Sequence, residues 1–370
     1  MEPLGGMACI VAPGEAVLIK PNNVVGRYMP GTVTSAEIVA GLAKLVVESG
    51  GKPFIGENDL DFDPVAECFM DSCARHYRDA LDRVGLPEVP LVNLSKDEQV
   101  SVDLPGAKVF KNTRIARRVL EADKIIDAPV MKTHDQTQIT LGIKNLKGLL
   151  PVSQRRRSHS LGVEQAIVDL CAYIRPALVV IDGTTAAEGM GPTGGTPFRM
   201  DLVVASANAL AADMVGATIM GFDFKDIHFI RYGVDSHLGP RNLDDIEVLG
   251  LPIAAVRRPF VTAQSVVLEQ YRQMGIEVVA HNACSGCWAE FRHIYYSLGD
   301  QRGKVAGLRF VLGQVRDLSP GPKTIVVGSC AKAVAGCGRF VEGCPPQHSQ
   351  IEAAVCAEAD IDPAKIDTYM

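Results

Sequence analysis

The sequence predicts an α/β protein: an open, mostly parallel sheet followed by a smaller C-terminal α/β domain. Three observations carry that prediction. Short apolar runs alternate with helical stretches through residues 1–250, and several of those runs are followed directly by a polar stretch. A proline-punctuated segment, "LPIAAVRRPFVTA" (251–263), then breaks the pattern. Beyond it the alternation restarts, in a region carrying six of the ten cysteines.

The elements follow in order. "AVLIK" (16–20) is a short apolar strand. Thr34 and Glu37 have capping-box spacing, which predicts a helix start. Ile38, Val39, Leu42, Leu45 and Val46 continue at helical period, and Gly50-Gly51 stops the helix. "KPFIGE" (52–57), "KIIDAPV" (124–130) and "PALVVIDG" (176–183) are further strands. Alternation of this kind predicts a sheet covered on both faces, in the Rossmann-like manner. Ligands of such sheets bind beyond the carboxyl ends of the strands. The stretches "KPNN" (20–23), "GEND" (56–59), "MKTH" (131–134) and "DGTTAAEGMGPTGG" (182–195) are therefore expected at one edge, around the active site.

In the second region, "QSVVLEQYRQMG" reads as a helix and "IEVVA" as a strand. Trp288, Phe291, Ile294, Tyr295 and Leu298 form one helical face. "KTIVVG" is another strand and "SQIEAAVCAEA" a closing helix. The expected boundaries are a first domain over 1–250, a linker over 251–262 and a cysteine-rich domain over 263–370. No internal repeat is visible.

Composition narrows the function classes. The 370 residues are 47% hydrophobic and 22% charged, with a formal net charge of −6. That balance gives no reason to expect nucleic acid or an acidic membrane as partner. The start of the chain lacks the basic residues and apolar stretch of a signal peptide. No run approaches the roughly 18 apolar residues of a membrane span, so the expected location is the cytoplasm. Ten cysteines in such a compartment point to metal or redox chemistry. Cys9, Cys68, Cys73 and Cys171 are scattered and read as buried small hydrophobes.

Between Lys132 and Arg157 six Lys or Arg face a single Asp, inside an acidic protein. A solvated basic loop would look like this, but so would an anion site. Lys132 and His134 follow an apolar strand, while Lys144, Asn145 and Lys147 lie beside Gly142 and Gly148. Glycine permits close backbone approach, and lysine supplies point charges for phosphate or carboxylate. Lys20 and Asn22 are expected at the same edge, with Asp182 and Glu188 available for a cation or proton transfer. An Asp ending a strand at "IDG" also commonly caps the next turn. No aromatic residue interleaves the basic ones, which disfavours nucleic acid. "GMGPTGG" (189–195) is neither a P-loop nor a dinucleotide fingerprint.

The cysteines raise a separate question. Cys284 and Cys287 flank Ser-Gly between a strand and a helix, a spacing that lets two thiolates reach one metal. Helix amides there are expected to lower their pKa. Cys330 follows the strand "TIVV", and Cys344 precedes Pro345. Four thiolates from separate loops suit a cubane iron–sulphur cluster or a tetrahedral zinc. Structural zinc usually takes two close pairs, and the split second half favours iron–sulphur; a redox thiol pair stays open. Cys337 is the spare thiol and Cys356 reads as core.

"KIIDAPVMKTHDQTQITLGIKNLKGLLP" and "VVIDGTTAAEGMGPTGGTP" resemble the domain-of-unknown-function 362 (DUF362) family. They carry its Lys-Thr-His, Thr-Leu-x-x-Lys-Asn-x-x-Gly and Asp-Gly…Glu-Gly-x-Gly-Pro motifs, and "IKPNN" is similar to its opening Lys-Pro-Asn. The resemblance spans roughly residues 15 to 225 and implies association with iron–sulphur domains, although the C-x₂-C-x₂-C-x₃-C run of ferredoxins is missing. "VVGSCA" and "VEGCPP" resemble cluster-binding segments of the iron–sulphur subunits of respiratory complex I and nickel–iron hydrogenase. That second resemblance implies Cys330 and Cys344 as 4Fe–4S ligands, with Cys284 and Cys287 completing the set.

The combined expectation is an iron–sulphur oxidoreductase that passes electrons between a 4Fe–4S cluster and a small anionic molecule. Lys20, Lys132, Lys144 and Lys147 would hold the anion, and His134 would supply a proton. Flavin or a nucleotide would suit the pocket, though no motif demonstrates either. The alternatives are an electron carrier or cluster-bearing assembly factor with a protein partner, and a non-redox isomerase or lyase.

Overall fold

The computed structural model describes residues 2–24, 28–59 and 73–366. Cys68 lies outside them. The chain divides into two compact units, Met1–Phe260 and Val261–Met370. Residues 251–260, expected as linker, pack with the first unit: Arg258 N donates to Ile219 O and Phe260 N to Met220 O.

The strands of the first unit are β1 (Ala16–Pro21), β2 (Lys52–Glu57), β3 (Leu91–Asn93), β4 (Gln99–Asp103), β5 (Asn112–Ala116), β6 (Lys124–Ala128), β7 (Val130–His134), β8 (Gln138–Thr140), β9 (Leu178–Met190) and β10 (Gly194–Ser206). Its helices are α1 (Ala36–Glu48), α2 (Ala74–Arg83), α3 (Arg117–Leu120), α4 (Gly142–Asn145), α5 (Val152–Ser160), α6 (Val163–Ile174), α7 (Ala209–Ile219), α8 (His228–Asp235) and α9 (Ile253–Val256). Eight strands form one sheet in the order β3-β2-β1-β6-β9-β7-β8, with β10 also on β9; β4 and β5 pair separately. All pairings in the main sheet are parallel except β7–β8 and β9–β10. The open α/β sheet is thus mixed but mostly parallel.

Both faces are covered, as apolar runs without alternation require. Val17 and Ile19 of β1 enter a core with α1 and α2, whereas Leu18 enters the larger core containing α6 and α7. Alternation puts Lys20 on the Leu18 side, in register with Asp127 of β6.

Three local expectations are corrected. Helix α1 starts at Ala36 after Ser35, and Thr34 makes no capping box; its hydroxyl instead donates to Ala128 O at 2.6 Å. "MKTH", expected as the polar stretch after a strand, is itself part of β7, which continues the line of β6 along one edge of β9 after Pro129. "DGTTAAEGM" likewise remains strand, because β9 runs on to Met190 and turns back as β10. Backbone pairing to β10 keeps this Gly- and Ala-rich segment extended.

In the second unit α10 (Ala263–Gln273) precedes β11 (Glu277–His281), α11 (Ser285–Ser297), β12 (Arg309–Gly313), β13 (Thr324–Val327), β14 (Arg339–Val341) and α12 (His348–Ala359). The strands form a parallel sheet in sequence order. Phe291 of α11 stacks on Tyr271 of α10 and meets Phe310 of β12 edge-on. These fully buried rings anchor both helices to the sheet.

Candidate functional site

At the carboxyl ends of β1, β2 and β6 lies a buried polar network. Lys20 Nζ pairs with Glu57 Oε2 at 2.8 Å and also donates to Pro21 O at 2.9 Å. Asn145, at the end of α4, joins three elements: its Oδ1 accepts from Asn22 Nδ2 at 2.8 Å and Lys20 Nζ at 3.4 Å, while its Nδ2 donates to Asp127 Oδ1 at 2.8 Å. Gly148 lets the backbone approach this pair closely: a Cβ there would stand 2.7 Å from both Lys20 Nζ and Glu57 Oε1. Burial raises the Asp127 carboxyl well above its ordinary range, against the opposing Lys20 charge and Asn145 bond. Asp127 Oδ2 and Asn22 Oδ1 are buried without a hydrogen-bond partner among the described residues.

The basic segment extends the network. Lys132 is fully buried on β7, and its amine donates to Thr32 O at 2.6 Å. Burial, then the charges of Lys144 and Lys20, depress its pKa far below the usual lysine value. Lys144 falls to about 8, mainly through burial, with Asp135 opposing and Lys20 and Arg155 adding to the fall. The dense surroundings leave part of its surface open. Lys147 contacts His159 Nε2, and Arg155 donates to Asp59 O.

His134 is buried, and its Nδ1 accepts from Gln136 N at 3.0 Å. Asp135 Oδ1 lies 2.9 Å from the same nitrogen and favours the imidazolium. Burial, with the Lys144 charge, outweighs it and brings the pKa to about 4. At neutral pH the ring is therefore uncharged.

The carboxylates expected for cation or proton chemistry are engaged elsewhere. Asp182 Oδ2 accepts from Ser35 N at 2.7 Å and from the Ser35 hydroxyl; Oδ1 accepts from Thr184 N and Oγ1 at 3.0 and 2.6 Å. It holds the N-terminus of α1, the turn-capping role open to an Asp at "IDG". Glu188 pairs with Arg258 at 3.0 Å, and the Arg258 guanidinium lies over the Phe198 ring.

Sequence reasoning missed Glu57, Asp127, Asp135 and Asp213 as members. Asp213 on α7 accepts from Gly142 N and Ile143 N at 2.7 and 2.9 Å, which fixes α4 and hence Lys144 and Asn145. Glu57 had a signal, as the acid ending a strand within "GEND". Asp213 had none, lying in an otherwise apolar helix.

In the second unit, Cys284 caps α11 and Cys287 sits in its first turn, beyond β11. Cys330 and Cys344 follow β13 and β14. The loops are joined directly: Gly328 N donates to Val341 O at 2.9 Å and Ser329 N to Gly343 O at 2.8 Å. A Cβ at Gly328, whose φ is +91°, would stand 3.2 Å from Cys287 Sγ, and one at Gly286 3.3 Å from Pro345. Cys287 and Cys330 both respond to the neighbouring thiols. The Cys284 hydrogen bond, burial and the charges of Cys284, Cys330 and Cys344 push the Cys287 thiol up, while burial, then Cys344 and Cys284, raise Cys330. For Cys287 this corrects the expectation of a lowered pKa: the Cys284 hydrogen bond, burial and the neighbouring thiols outweigh the helix amides. No set of three or more His, Cys, Asp or Glu among the described residues has metal-holding geometry.

The other cysteines are placed differently. Cys337 Sγ donates to Leu318 O at 3.1 Å and packs against the core of Val311 and Val326. Cys73, Cys171 and Cys356 are buried, but Cys9 is exposed, its thiol donating to Gly5 O at 3.0 Å. None of the nine described cysteines forms a disulfide.

Fold and site together define an α/β protein with a buried lysine–carboxamide network at its main sheet edge and four neighbouring thiols in a second unit. The chain belongs to the family described as "Domain of unknown function (DUF362)", whose match covers residues 17–218. It is 33% identical over 231 residues to the thylakoid-associated protein sll1697 of Synechocystis sp., covering 60% of this chain and 68% of that one. The lactate racemase apoprotein of Thermoanaerobacterium thermosaccharolyticum superimposes with a TM-score of 0.38 and 9% identity, over 88% of this chain and 64% of its own length. Among the described residues, no helix is long and apolar enough to cross a membrane.

Proposed function

We propose that the chain is an iron–sulphur oxidoreductase, with a 4Fe–4S cluster on Cys284, Cys287, Cys330 and Cys344 and a small anionic substrate or cofactor at the lysine network. The observation that carries this reading is the gathering of those four thiols at the carboxyl edge of one parallel sheet, while Cys337 and Cys356 are spent on packing. The donor chemistry suits the group: four sulphurs from three loops, the ligand type such clusters take. When bound, such a cluster supplies one-electron chemistry. A reducing compartment such as the cytoplasm would keep the thiols available.

The residues of the first unit have definable roles. Lys144 and Lys147 attract the anion, while Lys20 and Lys132 are held in place by Glu57 and Thr32. Asn22 and Asn145 fix those charges in place. Neutral His134 can donate a hydrogen bond, through its ring N–H, to an atom that gains electron density. Glu188 and Asp182 shape the edge through Arg258 and α1. A flavin or nucleotide phosphate would be held by the same cations.

One observation favours a second reading, a non-redox isomerase or lyase with a structural cluster. Lysines with lowered proton affinity beside carboxyls with raised affinity form an acid–base set that needs no electrons. Anaerobic purification of the full chain, followed by dithionite reduction, separates the two. Absorbance near about 400 nm that bleaches supports the redox reading. An unchanged brown band supports the structural one, and a colourless zinc protein overturns both.

A further inference from the structure

Four lysines meet in the first unit, and only one has its amine unspent. Lys20 is bound to Glu57, Lys132 to Thr32 O, and Lys147 contacts His159. Lys144 makes no hydrogen bond or ion pair with the described residues, and part of its surface stays open. Its backbone is held rigidly, because Asp213 caps α4 and Asn145 is locked between β1 and β6. An amine without a hydrogen bond on a fixed helix, with Asp135 as well as Lys20 and Arg155 nearby, is poorly explained as packing.

We propose that Lys144 is the nucleophile of this site, and that its ligand is a small 2-oxo acid whose carbonyl carbon condenses with the lysine amine. The proposal rests on reading the lysine network as an anion site and does not involve the cluster. The carboxylate of such a ligand would meet the positive field of Lys147 and Arg155. In the condensation the nitrogen lone pair forms the C–N bond as the carbonyl π pair moves onto oxygen. That oxygen then takes one proton from the amine and one from solvent, and leaves as water. A protonated imine remains, and nothing is oxidised or reduced. The depressed proton affinity of Lys144 supports the step, since it leaves part of the amine neutral near pH 8.

The test is reductive trapping on the full chain. Incubation with glyoxylate or pyruvate and cyanoborohydride, then intact mass and peptide mapping, should give one adduct per chain on the peptide holding Lys144. Lys144→Met should abolish it. Lys144→Arg, which keeps the charge, should abolish it too, with a thermal melt showing each variant folded. An adduct that persists in either folded variant, or that spreads evenly over surface lysines, overturns the proposal. Absence of any adduct overturns it as well. Iron content, measured on the same preparation, judges the cluster reading independently.

Discussion

Lys20 and Glu57 form a 2.8 Å ion pair with almost no exposure on either side chain, between the carboxyl ends of neighbouring strands. Removing one member strands the other charge in the interior, which typically costs about 3–5 kcal/mol. Glu57→Gln should therefore lower stability by that order in urea unfolding, and Lys20→Met/Glu57→Leu should cost less than either single change. Gly148→Ala should weaken the same pair, because its Cβ has no room beside them. Equal stability of Glu57→Gln and the parent would show that the pair does not organise this edge.

Two titrations oppose one another in the first unit. His134 is depressed to about 4 from 6.5, so its contribution is present above about 6.5 and lost as the pH falls towards 4. Asp213, raised by burial from 3.8 to about 7, contributes below 3.8 and loses that contribution as the pH rises towards 7. Single variants should unmask each slope. His134→Gln should lose stability as the pH rises from about 4 to 7, and Asp213→Asn should gain it over about 4 to 6.5. Denaturant midpoints across that range check both signs.

Gly328 has a φ of +91° and faces Cys287 Sγ. Alanine there is strained by its backbone and crowds the sulphur, so Gly328→Ala should destabilise the second unit by about 1 kcal/mol or more. It should also reduce iron content after anaerobic purification. Iron loading equal to the parent would mean that Cys287 does not need this close approach.

The cysteines divide by their surroundings. Cys284→Ala, Cys287→Ala, Cys330→Ala and Cys344→Ala should each abolish bound iron and loosen the second unit, since metal binding is coupled to folding. Cys337→Ala should leave iron content unchanged, because its thiol is spent on Leu318 O. Iron analysis of the five variants checks the division, and loss of iron in Cys337→Ala would contradict it.

Much of the main sheet was legible because its strands are short apolar runs stopped by polar residues. The extension of β9 to Met190 was not, since Gly- and Ala-rich segments carry no strand signal until β10 pairs with them. β12 and β14 escaped notice for a related reason: both are short, and their burial depends on parallel neighbours. At the site, Lys20, Asn22 and Asn145 could be anticipated from strand ends and glycine neighbours. Their carboxylate partners could not, because Asp127 lies inside an apolar strand and Asp213 inside an apolar helix, where only tertiary packing reveals a partner.

Native mass spectrometry of the anaerobically purified full chain tests the central claim most directly. The parent chain and Cys337→Ala should each carry the added mass of one 4Fe–4S cluster, absent from Cys284→Ala and Cys344→Ala. A parent chain carrying a single zinc ion, or no metal at all, would contradict it.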